Sequence, residues 1–126
     1  MYMAVRRCFA FYLLDAPSAD YTPVPFIEVH GINDPTVRYG RPSSGAEGNF
    51  QTLGELNGCA ASSLVEEDFD GDYSTRTFTK CDAGVEVELV TVAERPRNLA
   101  HSPYTTKAGA DMTELVWQFM RRFPLE

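Results

Sequence analysis

The stretch Val24-Pro25-Phe26-Ile27-Glu28-Val29-His30-Gly31-Ile32-Asn33-Asp34-Pro35-Thr36-Val37 decides the fold class of this chain. Residues 24–30 are dense in β-formers and nearly continuous in apolar character, the pattern of a strand covered on both faces. Gly31 stops the strand, and Asp34-Pro35 marks the turn that follows. In open α/β sheets, ligands and catalytic groups gather outside the carboxyl ends of the strands. An acid held there, Asp34, can accept a hydrogen bond from a histidine and fix its tautomer. The plainer role for Asp34 is to cap the turn before Pro35.

Working outward, Val85-Glu86-Val87-Glu88-Leu89-Val90-Thr91-Val92 reads as a second strand, alternating at first and mostly apolar at its end. The chain between the two strands is long enough for the crossover that parallel pairing demands. Within it, residues 40–48 form a loop. Phe50, Leu53 and Leu56 follow at helical spacing, and Asn57-Gly58 stops that helix. Ser63 to Cys81 reads as a β-hairpin, with Leu64-Val65 opening one arm, Asp70-Gly71 at the turn and Tyr73 to Lys80 returning.

A helix closes the chain. Asp111 and Glu114 stand as a capping-box pair, and Met112, Leu115, Val116, Phe119, Met120 and Phe123 share one face, a core-packing pattern. Arg121 and Arg122 suit the negative end of the helix dipole, and Pro124 ends it. Ahead of everything, Arg6 and Arg7 precede the apolar run Cys8 to Leu14. That run is at the short limit for a signal peptide, Asp15 interrupts it, and it also reads as a buried strand.

The composition fits one globular domain: 126 residues, 44% hydrophobic and 23% charged. A formal net charge of −7 excludes the basic footprint that nucleic acid or an anionic membrane surface requires. No stretch is long and apolar enough to span a bilayer. Three cysteines, Cys8, Cys59 and Cys81, allow one disulfide and one thiol, or three thiols in a reducing compartment. Cys59 and Cys81 lie 22 positions apart. A bridge closing a loop of that size stabilises a fold by roughly 3 kcal/mol in the chain-entropy model. With no CxxC spacing and no Cys/His cluster, nothing points to zinc.

Only two histidines are present. His30 lies at a strand end in line with the core, where a hydrogen-bonded structural role is expected. His101 follows the second strand by a loop and precedes the last helix, the chain position of a general base after an acid loop. It also reads as a solvated loop residue. The acids Glu66, Glu67, Asp68, Asp70 and Asp72 imitate the start of an EF-hand loop, but position 12 falls on Thr77 and the closing acid is missing. A solvated hairpin tip is the expectation. No G-x-S-x-G nucleophile motif and no glycine-rich phosphate loop occurs in the sequence.

The segment 24–37 closely resembles the acid-bearing segment of secreted α/β-hydrolase esterases, nearest to the fungal feruloyl esterases related to polyhydroxybutyrate depolymerases. Asn57-Gly58-Cys59, then Tyr73 to Cys81 with Gly84-Val85-Glu86-Val87, then Thr113 to Phe119 agree with that group in order, and Phe9 to Tyr12 looks like the end of its preceding strand. The resemblance covers most of residues 9–125 and corresponds to the C-terminal half of the family. It implies an α/β fold comprising the C-terminal part of a hydrolase sheet: two main parallel strands, a β-hairpin and a C-terminal helix. Residues 1–126 would then be one partial domain. Residues 1–23 form a strand remnant and loop; 24–126 hold the acid loop, hairpin, histidine loop and helix.

By the same resemblance Asp34 looks like the triad acid, His101 is the candidate base, and Cys59–Cys81 resembles the family disulfide. The family has a glycine-rich turn before its histidine and Trp-Pro after it; this chain has Glu94 to Ala100 before His101 and Ser102-Pro103-Tyr104 after it. The implied activity is a secreted, cofactor-free serine carboxylesterase acting on feruloyl esters of plant-wall xylan or on small phenolic esters, with the nucleophile half absent here. The alternative is a catalytically dead paralogue or binding module that keeps the sheet, its exposed edges covered by a partner chain or by dimerisation.

Overall fold

The computed structural model describes residues 6–9, 21–34, 37–40, 45–93 and 105–124, the first group by its backbone alone. Five strands form one mixed sheet: β1 (Arg6–Phe9), β2 (Phe26–Gly31), β3 (Leu64–Phe69), β4 (Tyr73–Phe78) and β5 (Val87–Val92), in the order β1-β2-β5-β4-β3. β2 pairs in parallel with both β1 and β5, while β4 and β3 extend the sheet in antiparallel fashion. The parallel set therefore holds the two main strands expected and a third from the N-terminal strand remnant. Its N-terminal member lies at Arg6–Phe9, earlier than the Phe9–Tyr12 stretch singled out from the sequence. Residues 10–20 lie outside the described residues.

The register explains why β2 is buried throughout. Successive side chains alternate between faces, so Phe26, Glu28 and His30 share one face with Val87, Leu89 and Thr91 of β5. That face is covered by helix α1 (Ala46–Leu56), which packs Ala46, Phe50 and Leu53 against Phe26, Val87 and Leu89. The Phe50 ring stacks on Phe78 with centroids 4.7 Å apart. The other face, Ile27 and Val29 with Val90 and Val92, is covered by Met112, Val116 and Phe119 of helix α2 (Met112–Met120). The result is an α/β/α sandwich in which β2 is buried along its whole length and β5 is buried at Val87, Leu89, Val90 and Val92.

Each helix stops and starts for a local reason. Asp111 caps α2, its Oδ1 accepting from the N–H groups of Thr113 and Glu114. The reciprocal arm expected of a capping box is not formed: the Glu114 carboxylate takes a bond from Gln118 one turn on. At the end of α1, Asn57 is wholly buried and clamps the chain leading into β2, Oδ1 accepting from Val24 N–H at 3.2 Å and from the Tyr21 hydroxyl at 2.6 Å, Nδ2 donating to Val24 O at 2.9 Å. Gly58 follows at φ +63°, where a Cβ would lie 2.1 Å from Asp82 Oδ2. A side chain there would have to adopt left-handed backbone and displace the Asp82 carboxylate.

The hairpin turns where expected. Asp70 and Gly71 both take positive φ, 55° and 72°, and Asp72 N–H closes the turn on Phe69 O. Its first arm runs further than the sequence suggested, because Glu66, Glu67 and Asp68 lie in β3 and not in the tip. Asp72 is also no free tip residue: its carboxylate accepts from the Thr106 hydroxyl and from Ala108 N–H. It thereby moors the chain entering α2 to the turn. Cys59 and Cys81 are joined as a disulfide, tying the end of α1 to the end of the hairpin.

Candidate functional site

The carboxyl ends of β2 and β5 lie side by side, since Gly31 faces Val92 across the parallel ladder and Ile32 N–H extends it by bonding to Val92 O at 2.9 Å. Two connections leave this edge. One is the turn after β2, closed by Asp34 N–H on Gly31 O at 3.2 Å, which holds Asp34 at 6% exposure. The other is the chain that leaves β5 at Ala93. His101 belongs to the segment 94–104, which follows β5 in the sequence and lies outside the described residues. Asp34 Oδ1 accepts from Val37 N–H at 2.9 Å. The carboxylate thus grips its own loop, the arrangement of an acidic turn cap as well as of an acid that must stay oriented.

Directly behind this turn lies a cluster the sequence analysis did not single out as a unit. Glu28 and His30 stand two residues apart on β2, on the α1 face, and both are about 1% exposed. His30 Nδ1 lies 2.9 Å from Glu28 Oε2, and Nε2 lies 2.7 Å from Val37 O. Asn49 of α1 donates through Nδ2 to Glu28 Oε1 at 3.2 Å. The Tyr39 ring meets the imidazole edge-on at 5.5 Å, and its hydroxyl bonds Thr91 Oγ1 of β5 at 2.8 Å.

The tautomer follows from the partners. A carbonyl only accepts, so Nε2 carries a proton; one further proton then lies between Nδ1 and the Glu28 carboxyl. Burial pushes the Glu28 carboxyl above its usual range, against the bonds from His30 and Asn49. Burial pulls the His30 imidazole down, but the bonds to Glu28 and Val37 O, with the negative charges of Glu28 and Asp34, outweigh it and leave it raised. Both shifts keep protons on the pair.

The expected hydrogen-bonded role for His30 is what the structure shows. The signal that could have found the rest was a glutamate inside a run otherwise fit only for burial: an acid two residues before a histidine on a sealed strand must share its face and needs a partner. Asn49 and Tyr39 carried no such signal, since they reach the cluster only through folding.

A groove of about 460 Å³ lies on the opposite face, between α2 and the hairpin, lined by residues that include Glu88, Leu115, Phe119 and Arg122. Burial raises the Glu88 carboxyl there, countered by the Thr77 hydroxyl bond at 2.7 Å and by the charge of Arg122. Glu88 belongs to the face away from the cluster. Among the described residues no group of three or more His, Cys, Asp or Glu side chains is disposed to hold a metal ion, and no helix is long and apolar enough to cross a membrane.

Neither a protein-family model nor a curated protein matches the chain.

Proposed function

We propose that this chain carries the acid and base half of a serine carboxylesterase of the feruloyl esterase type, with Asp34 as the acid that orients His101. In such an esterase the serine attacks the ester carbonyl, the histidine takes its proton and returns it to the leaving alcohol, and the aspartate holds the imidazole. The observation that carries the reading is the shared carboxyl edge of β2 and β5. A buried carboxylate sits just past one strand, and the segment bearing His101 leaves the strand hydrogen-bonded beside it. The disulfide Cys59–Cys81 agrees with an extracellular setting.

The reaction needs no cofactor, and the substrates would be feruloylated plant-wall polysaccharide or small phenolic esters. These 126 residues contain no G-x-S-x-G, so the serine and its oxyanion hole would come from other residues. Methyl ferulate hydrolysis tests this directly. The chain alone should give no turnover, whereas addition of a separately expressed N-terminal half of a related esterase should restore it. Turnover should then vanish with Asp34→Asn or with a serine-directed fluorophosphonate. Turnover by the chain alone that the fluorophosphonate abolishes, or restored turnover indifferent to Asp34→Asn, would refute the assignment.

One observation favours a second reading, a non-enzymatic module that retains the sheet. The bond from Val37 N–H to Asp34 Oδ1 satisfies the turn without any histidine. Binding of the N-terminal half without turnover would support it.

A further inference from the structure

We propose that His30 is a positioning residue for the Asp34 loop, held in register by Glu28 and Asn49. Val37 is gripped from both sides. Its carbonyl accepts from His30 Nε2 at 2.7 Å and its N–H donates to Asp34 Oδ1 at 2.9 Å. The imidazole therefore sets where the Val37 carbonyl lies, and the neighbouring amide sets where the Asp34 carboxylate points.

Three elements converge to hold that imidazole. β2 supplies His30 and Glu28 on one face, and α1 supplies Asn49, which ties down the far oxygen of Glu28. Tyr39, from the chain between them, closes the side of the ring and is anchored to Thr91 of β5. Because no water-facing route is open to Glu28 or His30, each about 1% exposed, their bonds cannot be exchanged for solvent without opening the core. An oriented imidazole at this depth is a rigid post for the loop above it. The charged and titratable groups around it are Glu28 on its own strand, Asp34 in the loop and Tyr39 beside the ring, with Glu47 of α1 and Arg76 of β4 acting on Tyr39.

The mechanical part of the proposal stands on these contacts alone; its bearing on catalysis rests on the esterase reading. The two are separated by reading the loop without any substrate. In the full chain, amide hydrogen exchange of Val37 is compared with that of Val90 in β5, and the His30 ring nitrogens are observed by long-range proton–nitrogen NMR. The expected spectrum has Nε2 protonated at every pH at which the chain is folded. His30→Leu should lower Val37 protection about tenfold relative to Val90, as loss of one buried hydrogen bond implies. Glu28→Gln should keep it, since a glutamine amide can donate to Nδ1 while its oxygen still accepts from Asn49. Wild-type protection at Val37 in His30→Leu, or an unprotonated Nε2 in the native chain, would overturn the proposal. If His30→Leu does not fold, the ring spectrum of the native chain decides alone. Turnover in the complemented esterase bears only on the role of Asp34, so a failure of either idea is recognisable separately.

Discussion

Glu28 and His30 show how a single proton can couple a core to a loop. Above pH 6.5 an imidazole raised by its bonds to Glu28 and Val37 O still holds the shared proton where the unfolded chain has lost it, so the folded chain binds more protons than the unfolded one. Stability then falls with rising pH. For His30 the contribution is complete below 6.5 and disappears as pH climbs through its folded value. Urea midpoints should therefore decline from about pH 6.5 upward as the shared proton leaves. Glu28→Gln should flatten this decline, because its neutral amide satisfies Nδ1 without a proton to lose. A native midpoint that stays level or rises over that range would contradict the assignment of the pair. His30→Leu is the damaging change, at about 3 kcal/mol or more, since it strips a buried carboxylate of its partner. The residue-level reading from sequence placed His30 in the core and Asp34 at a strand end; it did not reveal that Val37 links them, because a main-chain carbonyl has no signature in the sequence.

At the scale of elements, α1 shows a constraint that helix propensity hides. Gly54 faces the sheet, where an added Cβ would lie 2.7 Å from Phe78 Cε2. Alanine normally favours a helix over glycine by about 1 kcal/mol. Here the Phe78 ring is stacked on Phe50 and has little room to give way. Overpacking of this kind costs about 1–3 kcal/mol, so Gly54→Ala should lower stability by up to about 2 kcal/mol in chemical denaturation. A gain in stability would mean that the aromatic stack yields. The spacing of Phe50, Leu53 and Leu56 was enough to read this helix, and the run Met112 to Phe123 enough to read the last one, since a 3.6-residue period leaves its mark on composition. The extent of β3 was not legible. Glu66, Glu67 and Asp68 are polar because β3 is an edge strand, and acids on an edge resist pairing with another chain; the same composition reads as a turn.

For the whole molecule, the disulfide Cys59–Cys81 joins two points 22 residues apart and encloses the hairpin. Its reduction should destabilise the fold by roughly 3 kcal/mol if the chain-entropy account holds. Thiol titration in denaturant should find one reactive cysteine before reduction and three after it. Three thiols without reductant would place the protein in a reducing compartment and remove one support for an extracellular esterase. The order of strands follows the same logic of closure. β5 joins β2 because a crossover through α1 and the hairpin brings the two most buried strands together, which leaves the polar arm β3 at the rim.

By itself the sequence determined the local pieces: where strands and helices lie, which faces are apolar, and that an acid follows the most deeply buried strand. These are short-range properties, written in periodicity, turn residues and caps. Only the tertiary structure decided that three strands run parallel, that Glu28 and His30 meet Asn49 from a helix 19 residues on from His30, and that Val37 stands between the imidazole and Asp34. Those contacts depend on where the backbone places atoms distant along the chain, and on burial that makes each bond costly to lose.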